Sequence, residues 1–175
     1  MRVWFDTEFL EDGRTIELIS IGMVREDGAT FYAETPQAEG LAKSNDWLRA
    51  NVLPNLRGWD GRERSQIAAD IVAFAGSNPE FWAYYADYDW VALCQLYGTM
   101  MDLPKGWPMF CRDVQQLACE CIETDLPPQP AAAHNALADA IWTRVAFEIL
   151  AYQPRPRPES PGPNLADATK KELLP

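Results

Sequence analysis

The 175-residue chain has one histidine, His134, and no excess of basic residues. Its 15 lysines and arginines stand against 26 acids, a formal net charge of −11. A protein that grips many phosphates carries at least one basic face, so this balance speaks against wrapping a long nucleic acid. If the partner is a polyanion, it is expected to be held over a few nucleotides near its end. No apolar run approaches the roughly 18–20 residues that cross a bilayer, and no membrane association is expected. The opening residues, Met1-Arg-Val-Trp-Phe-Asp, carry neither an apolar core nor a small-residue cleavage site, so a secretory signal is not expected and the cytoplasm is. Four cysteines are present, but Cys119-x-Cys121 lacks the spacer of a zinc site and Cys94 and Cys111 form no second close pair. They are expected as reduced thiols, buried or half-buried.

What is present is the balance of an ordinary globular domain, 47% hydrophobic and 23% charged, long enough to bury a core without disulfides or a structural metal. Residues 2–9, 15–25 and 29–34 read as strands. Asp12-Gly13 and Asp27-Gly28 lie between them, and Asp-Gly readily adopts the positive φ angles of tight hairpin turns. Helices are predicted over 44–53, capped by Ser44 or Asn45, and over 62–75, with Ile67, Ile71 and Phe74 on one stripe. An aromatic strand over 80–85 leads into a helix over 89–97. A fifth strand over 109–112 precedes a helix over 113–123, and a proline-rich loop covers 126–130. The clearest helix runs from 135 to 152, with Leu137, Ile141, Val145 and Ile149 on one face. Five prolines between 154 and 163 then forbid regular structure, dividing the chain into a domain over 1–152 and a tail over 153–175. Hairpin-linked strands followed by alternating helices and strands indicate an α/β layered domain with a mixed sheet.

Three elements can carry chemistry. In Asp6-Thr7-Glu8, strand alternation puts both carboxylates on one face and Thr7 on the other. Two such charges ~6–7 Å apart repel by roughly 3 kcal/mol at an effective dielectric near 20. A divalent cation between them converts that repulsion into a ligand pair, and oxygen-only ligands select magnesium or manganese. The bland alternative is a solvated strand face, disfavoured by the flanking Trp4-Phe5 and Phe9-Leu10. Asp89 lies where a strand gives way to a helix, a position suited to an N-cap and equally to a ligand site at the carboxyl end of a sheet. Asp87 competes with it, and local pattern does not separate the two. The third element is His134-Asn-Ala-Leu-Ala-Asp139, in which Asn135 is a natural N-cap, His134 sits just outside the helix and Asp139 lies near its first turn.

Taken together and in this order, Asp-x-Glu in a first strand, Tyr-Asp at a mid-chain helix and His-x4-Asp at the last helix resemble the three motifs of the DEDDh 3′→5′ exonucleases. The resemblance covers residues 1–150. Phe5-Asp-Thr-Glu-Phe-Leu-Glu-Asp-Gly-Arg-Thr-Ile-Glu-Leu-Ile-Ser-Ile-Gly and Tyr88-Asp-Trp-Val-Ala-Leu-Cys-Gln-Leu-Tyr-Gly are especially similar to polyadenylate-specific exoribonucleases of the ribonuclease AS type. The resemblance implies a ribonuclease H-like fold and two Mg²⁺ or Mn²⁺ ions held by Asp6, Glu8, Asp89 and Asp139. It implies His134 as general base, and Thr7, Glu8, Phe9 and His134 as contacts to the terminal nucleotide. It also decides for Asp89 over Asp87, and implies a homodimer acting on the 3′ end of single-stranded or short RNA. One departure is an asparagine that many DEDDh enzymes carry before the second-motif aspartate. Tyr84, Tyr85 or Ala86 stands there, so the wider family's substrate rules do not carry over. A single-stranded DNA exonuclease, or a non-catalytic interaction module on the same fold, are the alternatives.

Overall fold

The computed structural model describes residues 1–58, 61–121, 125–129 and 134–153. The tail expected over 153–175 therefore lies outside the described residues from 154 onward. The fold begins with antiparallel pairing. Strands β1 (Arg2–Glu11), β2 (Ile16–Arg25) and β3 (Thr30–Glu34) form a meander, turned at Gly13 and Gly28 with φ of 80° and 88°. Strands β4 (Glu80–Ala83) and β5 (Arg112–Asp113) then add in parallel to the other edge of β1, giving the sheet order β3-β2-β1-β4-β5. Helices cover both faces, so the mixed sheet and ribonuclease H-like α/β layering expected from the sequence are present.

Strand alternation divides the core. Val3 and Phe5 of β1 pack on one face with α3 (Arg64–Ala75) and α4 (Asp87–Cys94), through Ile67, Ile71, Ala92 and Leu93. Trp4 faces the other way, toward α5 (Val114–Cys119) and α6 (Ala136–Ala151), and packs on Phe147 at a ring separation of 5.2 Å. The β1–β2 register slips by one residue between Glu8 and Phe9, so Ile19 has no partner across the ladder. Ile19 instead anchors a third apolar cluster with Ala38 and Ala42 of α1 (Ala38–Lys43) and with Leu48 of α2 (Asp46–Asn51). The bulge thereby brings α2 to the end of β1 that carries the acids.

Several boundaries differ from the expectation. The single helix expected over 44–53 is α2 alone, capped by Asn45, whose side chain accepts from the Trp47 and Leu48 amides, and followed by a 3-10 turn at Leu53–Asn55. Helix α1 was not foreseen. Strand β4 stops at Ala83 rather than 85, and α4 starts at Asp87, so Asp89 is its third residue. Strand β5 begins only where the expected strand ended, and Asp113 caps α5 instead of opening it. Asn135 does cap α6, accepting from the Ala138 amide at 3.1 Å. The buried face of α6 is not the expected aliphatic stripe, however. Ala136, Ala140, Thr143, Phe147 and Leu150 face the sheet, while Ile141 and Val145 are each 42% exposed. Cys94 is buried and Cys111 and Cys121 are half-buried, as expected of free thiols, but Cys119 is exposed.

Candidate metal centre

Asp6 and Glu8 project from β1 on the same face as Trp4, toward α6. Opposite them β2 places small residues, Gly22 against Asp6 and Ser20 against Glu8. Gly22 decides how closely α6 can approach. A Cβ built there would lie 2.2 Å from the Leu137 nitrogen and 2.3–2.4 Å from the Ala136 carbonyl group, so only glycine admits the first turn of α6 onto the sheet. Asp139, in that first turn, is thereby delivered to Asp6 and Glu8. Ligand oxygens of Asp6, Glu8 and Asp139 all lie within 4.8 Å of one another.

Asp89 arrives from the opposite side. The parallel ladder between β1 and β4 ends at Trp4↔Trp82, leaving the later part of β1 without a strand on that edge. The carboxylate of Asp89 takes the vacant place. Its Oδ1 accepts from the Thr7 amide at 2.8 Å and from the Thr7 hydroxyl at 2.5 Å. Asp89 is therefore not an N-cap but a buried group tethered to β1. Asp87 is exposed and lies outside the cavity.

Without a cation these carboxyls favour keeping their protons. Burial, followed by repulsion from Asp89, Glu8 and Asp139, raises the carboxyl of Asp6 well above the usual range. Burial and then Asp139 and Asp89 push Glu8 up to about 8. Burial also raises Asp89, against the pull of its two bonds from Thr7, and raises Asp139, against its bonds from the His134 and Asn135 amides. Among the described residues no lysine or arginine lines the cavity to compensate them. Carboxylate oxygens alone, converging and mutually repelling, fit a hard divalent cation, for which such ligands are suited.

His134 stands just before α6 with φ at +70°, a left-handed conformation that costs a non-glycine residue about 1–3 kcal/mol. Three neighbours hold it there. Its amide donates to Asp139 Oδ2 at 2.8 Å, its carbonyl accepts from Asn55 Nδ2 at 3.2 Å, and its ring lies edge-to-face on Trp47 at 4.6 Å. Asn135 returns the contact, donating through Nδ2 to the Asn55 carbonyl. The loop bearing Asn55 is fixed in turn by buried Glu34, whose carboxylate accepts from the Arg57 and Gly58 amides and the Tyr32 hydroxyl.

A cavity of about 410 Å³ contains all seven residues singled out from the sequence, Asp6, Thr7, Glu8, Phe9, Asp89, His134 and Asp139. Thr7 is buried beneath it, bonded to Asp89, and Phe9 packs on Tyr88 at 5.8 Å. Sequence reasoning missed the aromatic wall formed by Trp47, Tyr84, Tyr85, Tyr88 and Trp142. The run Tyr84-Tyr85-Ala86-Asp87-Tyr88 beside a helix start was a usable signal, whereas nothing local marked Trp47.

No helix among the described residues is long and apolar enough to cross a membrane. The fold is similar to that of exonuclease I. Its E. coli structure in complex with a dT13 oligonucleotide superposes with a TM-score of 0.59 at 12% identity, over 87% of this chain and 41% of that one. A product-bound structure of exonuclease I gives 0.57 at 12% identity, over 87% and 43%. The chain thus spans about two fifths of the length of those structures. In sequence it is 43% identical over 149 residues to the 3′-5′ exoribonuclease Rv2179c of Mycobacterium tuberculosis strain H37Rv, covering 80% of this chain and 87% of that protein. The 3′-5′ exoribonuclease MT2234.1 of strain CDC 1551 matches equally. These similarities and the carboxylate cluster support a metal-dependent exonuclease activity. A family model for the Rv2179c-like 3′-5′ exoribonuclease domain matches residues 1–150, and the chain belongs to that family.

Proposed function

We propose that this protein is a 3′→5′ exoribonuclease of the ribonuclease AS type, releasing nucleoside 5′-monophosphates from the 3′ end of single-stranded or short RNA with a preference for adenosine. The observation that carries the reading is that Asp6, Glu8 and Asp139 bring oxygens within 4.8 Å of one another, with Asp89 of α4 lining the same cavity beside His134. Asp6, Glu8, Asp89 and Asp139 are the residues that would hold two Mg²⁺ or Mn²⁺ ions. Such ions supply positive charge at the scissile phosphate and polarise the groups bound to them, which lets so acidic a protein accept a polyanion. The imidazole of His134 takes the proton of the attacking water, since it is the side chain best suited to proton exchange near neutral pH. Its main chain, tied to Asp139 and Asn55, sets where that ring can reach. Phe9, with Tyr88 behind it, offers a face to the terminal base, while Thr7 orients Asp89 from below. The same resemblance supports a homodimer.

The test is a degradation time course on end-labelled poly(A), poly(U) and single-stranded DNA. Monophosphate release from poly(A) is expected with Mg²⁺ or Mn²⁺ and none in EDTA. Faster cleavage of the DNA would transfer the assignment to the deoxyribonuclease alternative. Activity that survives chelation would overturn the metal reading.

A further inference from the structure

How the cavity grips a strand is a separate question from how it cleaves one. Among the described residues its lining offers no lysine or arginine, and residues 130–133, just before His134, are proline and alanine. Charged contacts to phosphates away from the cleavage point are therefore not supplied by these residues. A further handle on a single strand is the faces of its bases, which stack on aromatic rings whatever their identity. At about 410 Å³ the cavity lies toward the small end of ligand pockets, which run from ~300 to ~1,000 Å³, a size that suits a single nucleotide. The second nucleotide from the end must then cross the rim.

Tyr85 stands at that rim. It is the most exposed aromatic residue of the lining, at 63% against 53% for Tyr88 and 52% for Trp47. Its φ of +56° is unusual for a bulky side chain, and the peptide that follows is held in place, its Ala86 amide donating to Asp113 Oδ2 at 2.9 Å. A strained residue kept at a site edge points to a function for its placement. The ring is also braced from behind. Tyr85 packs edge-on against Tyr84 at 4.6 Å, Tyr84 against Trp142 at 4.9 Å, and the Trp142 indole donates to the carbonyls of Pro127 and Pro128. This is a row of rings leading from the core to solvent, ending in an open one.

Resting on the exonuclease reading, we propose that Tyr85 binds the penultimate nucleotide of the substrate, whose base stacks on its ring. The substrate class follows from this arrangement. It is a strand whose last two bases are unstacked from a complement, which a duplex end does not offer.

The experiment compares two substrates on the full-length protein at saturating Mn²⁺. One is a single-stranded oligoadenylate, and the other is the same strand with an abasic residue at the penultimate position, which offers no base to stack. A lost base–aromatic stack lowers affinity about tenfold or more. In Tyr85→Ala the ratio of kcat/KM for the oligoadenylate to that for the abasic strand is expected to fall by about that factor, mostly through KM. Tyr85→Phe should restore the ratio, because the face and not the hydroxyl makes the contact. A ratio unaltered in Tyr85→Ala, or a loss shared by both substrates, would overturn the proposal. If the wild-type protein cleaves neither substrate, the exonuclease reading itself fails, a result distinct from either.

Discussion

Removing one charge from the carboxylate cluster should make the metal-free protein more stable at high pH, and the size of the effect can be worked out. Glu8 is buried, and its carboxyl is pushed from an ordinary 4.5 to about 8 by burial and by Asp139 and Asp89. Below pH 4.5 the group is protonated in both folded and unfolded chains and contributes nothing. Between 4.5 and 8 the unfolded chain ionises while the folded one keeps its proton, so stability falls as pH rises and stays lost above 8. At ~1.4 kcal/mol per pH unit of difference, the total is about 5 kcal/mol. For a protein of this size that corresponds to a fall in Tm of roughly 10–20 °C. Thermal unfolding followed by circular dichroism in EDTA, at about pH 5 and about pH 9, reads it directly. The wild-type protein should lose most of that amount, and Glu8→Gln should lose clearly less. Its amide carries no charge, and it also relieves the repulsion on Asp6. Mn²⁺ at the higher pH should raise the wild-type Tm more than that of the variant, because the cation replaces the protons that the cluster otherwise needs. Equal losses for the two proteins across this window would refute the electrostatic account.

Other outcomes depend on the same geometry. Asp89→Ala should abolish nearly all turnover and leave Thr7 without its partner, whereas exposed Asp87→Ala should retain most of it, as single-turnover assays on oligoadenylate would show; the reverse result would mean that the wrong aspartate was chosen. His134→Ala and His134→Asn should each be slowed about 10²–10⁴-fold, the usual cost of losing a general base. Both should still bind Mn²⁺ by calorimetry, and near-normal turnover in either would remove His134 from the chemistry. Gly22→Ala should destabilise the fold by at least about 1–3 kcal/mol, the ordinary cost of overpacking, and should lower turnover as well. Chemical denaturation together with kcat would check it, and a variant that is stable and fully active would show that α6 is not seated as described.

The parts of the fold that were legible in the sequence are those governed by neighbouring residues. The hairpins follow from Asp-Gly pairs, the start of α6 from the capping power of Asn135, and the shared face of Asp6 and Glu8 from strand alternation. Distant packing decided the rest. A large aliphatic stripe on α6 was a reasonable expectation, but a helix resting on Gly22 has room beneath it for Ala136 and Ala140, and Ile141 and Val145 are left at the flank. Helix α1 has only six residues, too few for a periodic signal, and depends on Ile19 at a bulge that no local pattern marks. Asp89 matched an N-cap equally well on local grounds, and only its bonds to Thr7, 82 positions earlier, exclude that role. The candidate site was therefore readable as separate acids. Their convergence came from the resemblance, and the aromatic wall from neither.

The contact at Gly22 also determines how the site can fail. The first turn of α6 carries Asp139, and through the amide of His134 the same carboxylate holds the loop bearing the proposed base. The proposed metal ligand and the proposed base are thus mounted on one piece, pressed backbone to backbone against the strand that pairs with the one carrying Asp6. Rotating a side chain cannot compensate for a shift of that piece, because at the point of closest approach there is no side chain to rotate. Any opening of α6 from the sheet withdraws both groups in one movement, so the site has no partly competent intermediate. Cleavage should then stop as a single step on heating, at the temperature where this one helix lifts, whatever the remainder of the sheet still holds.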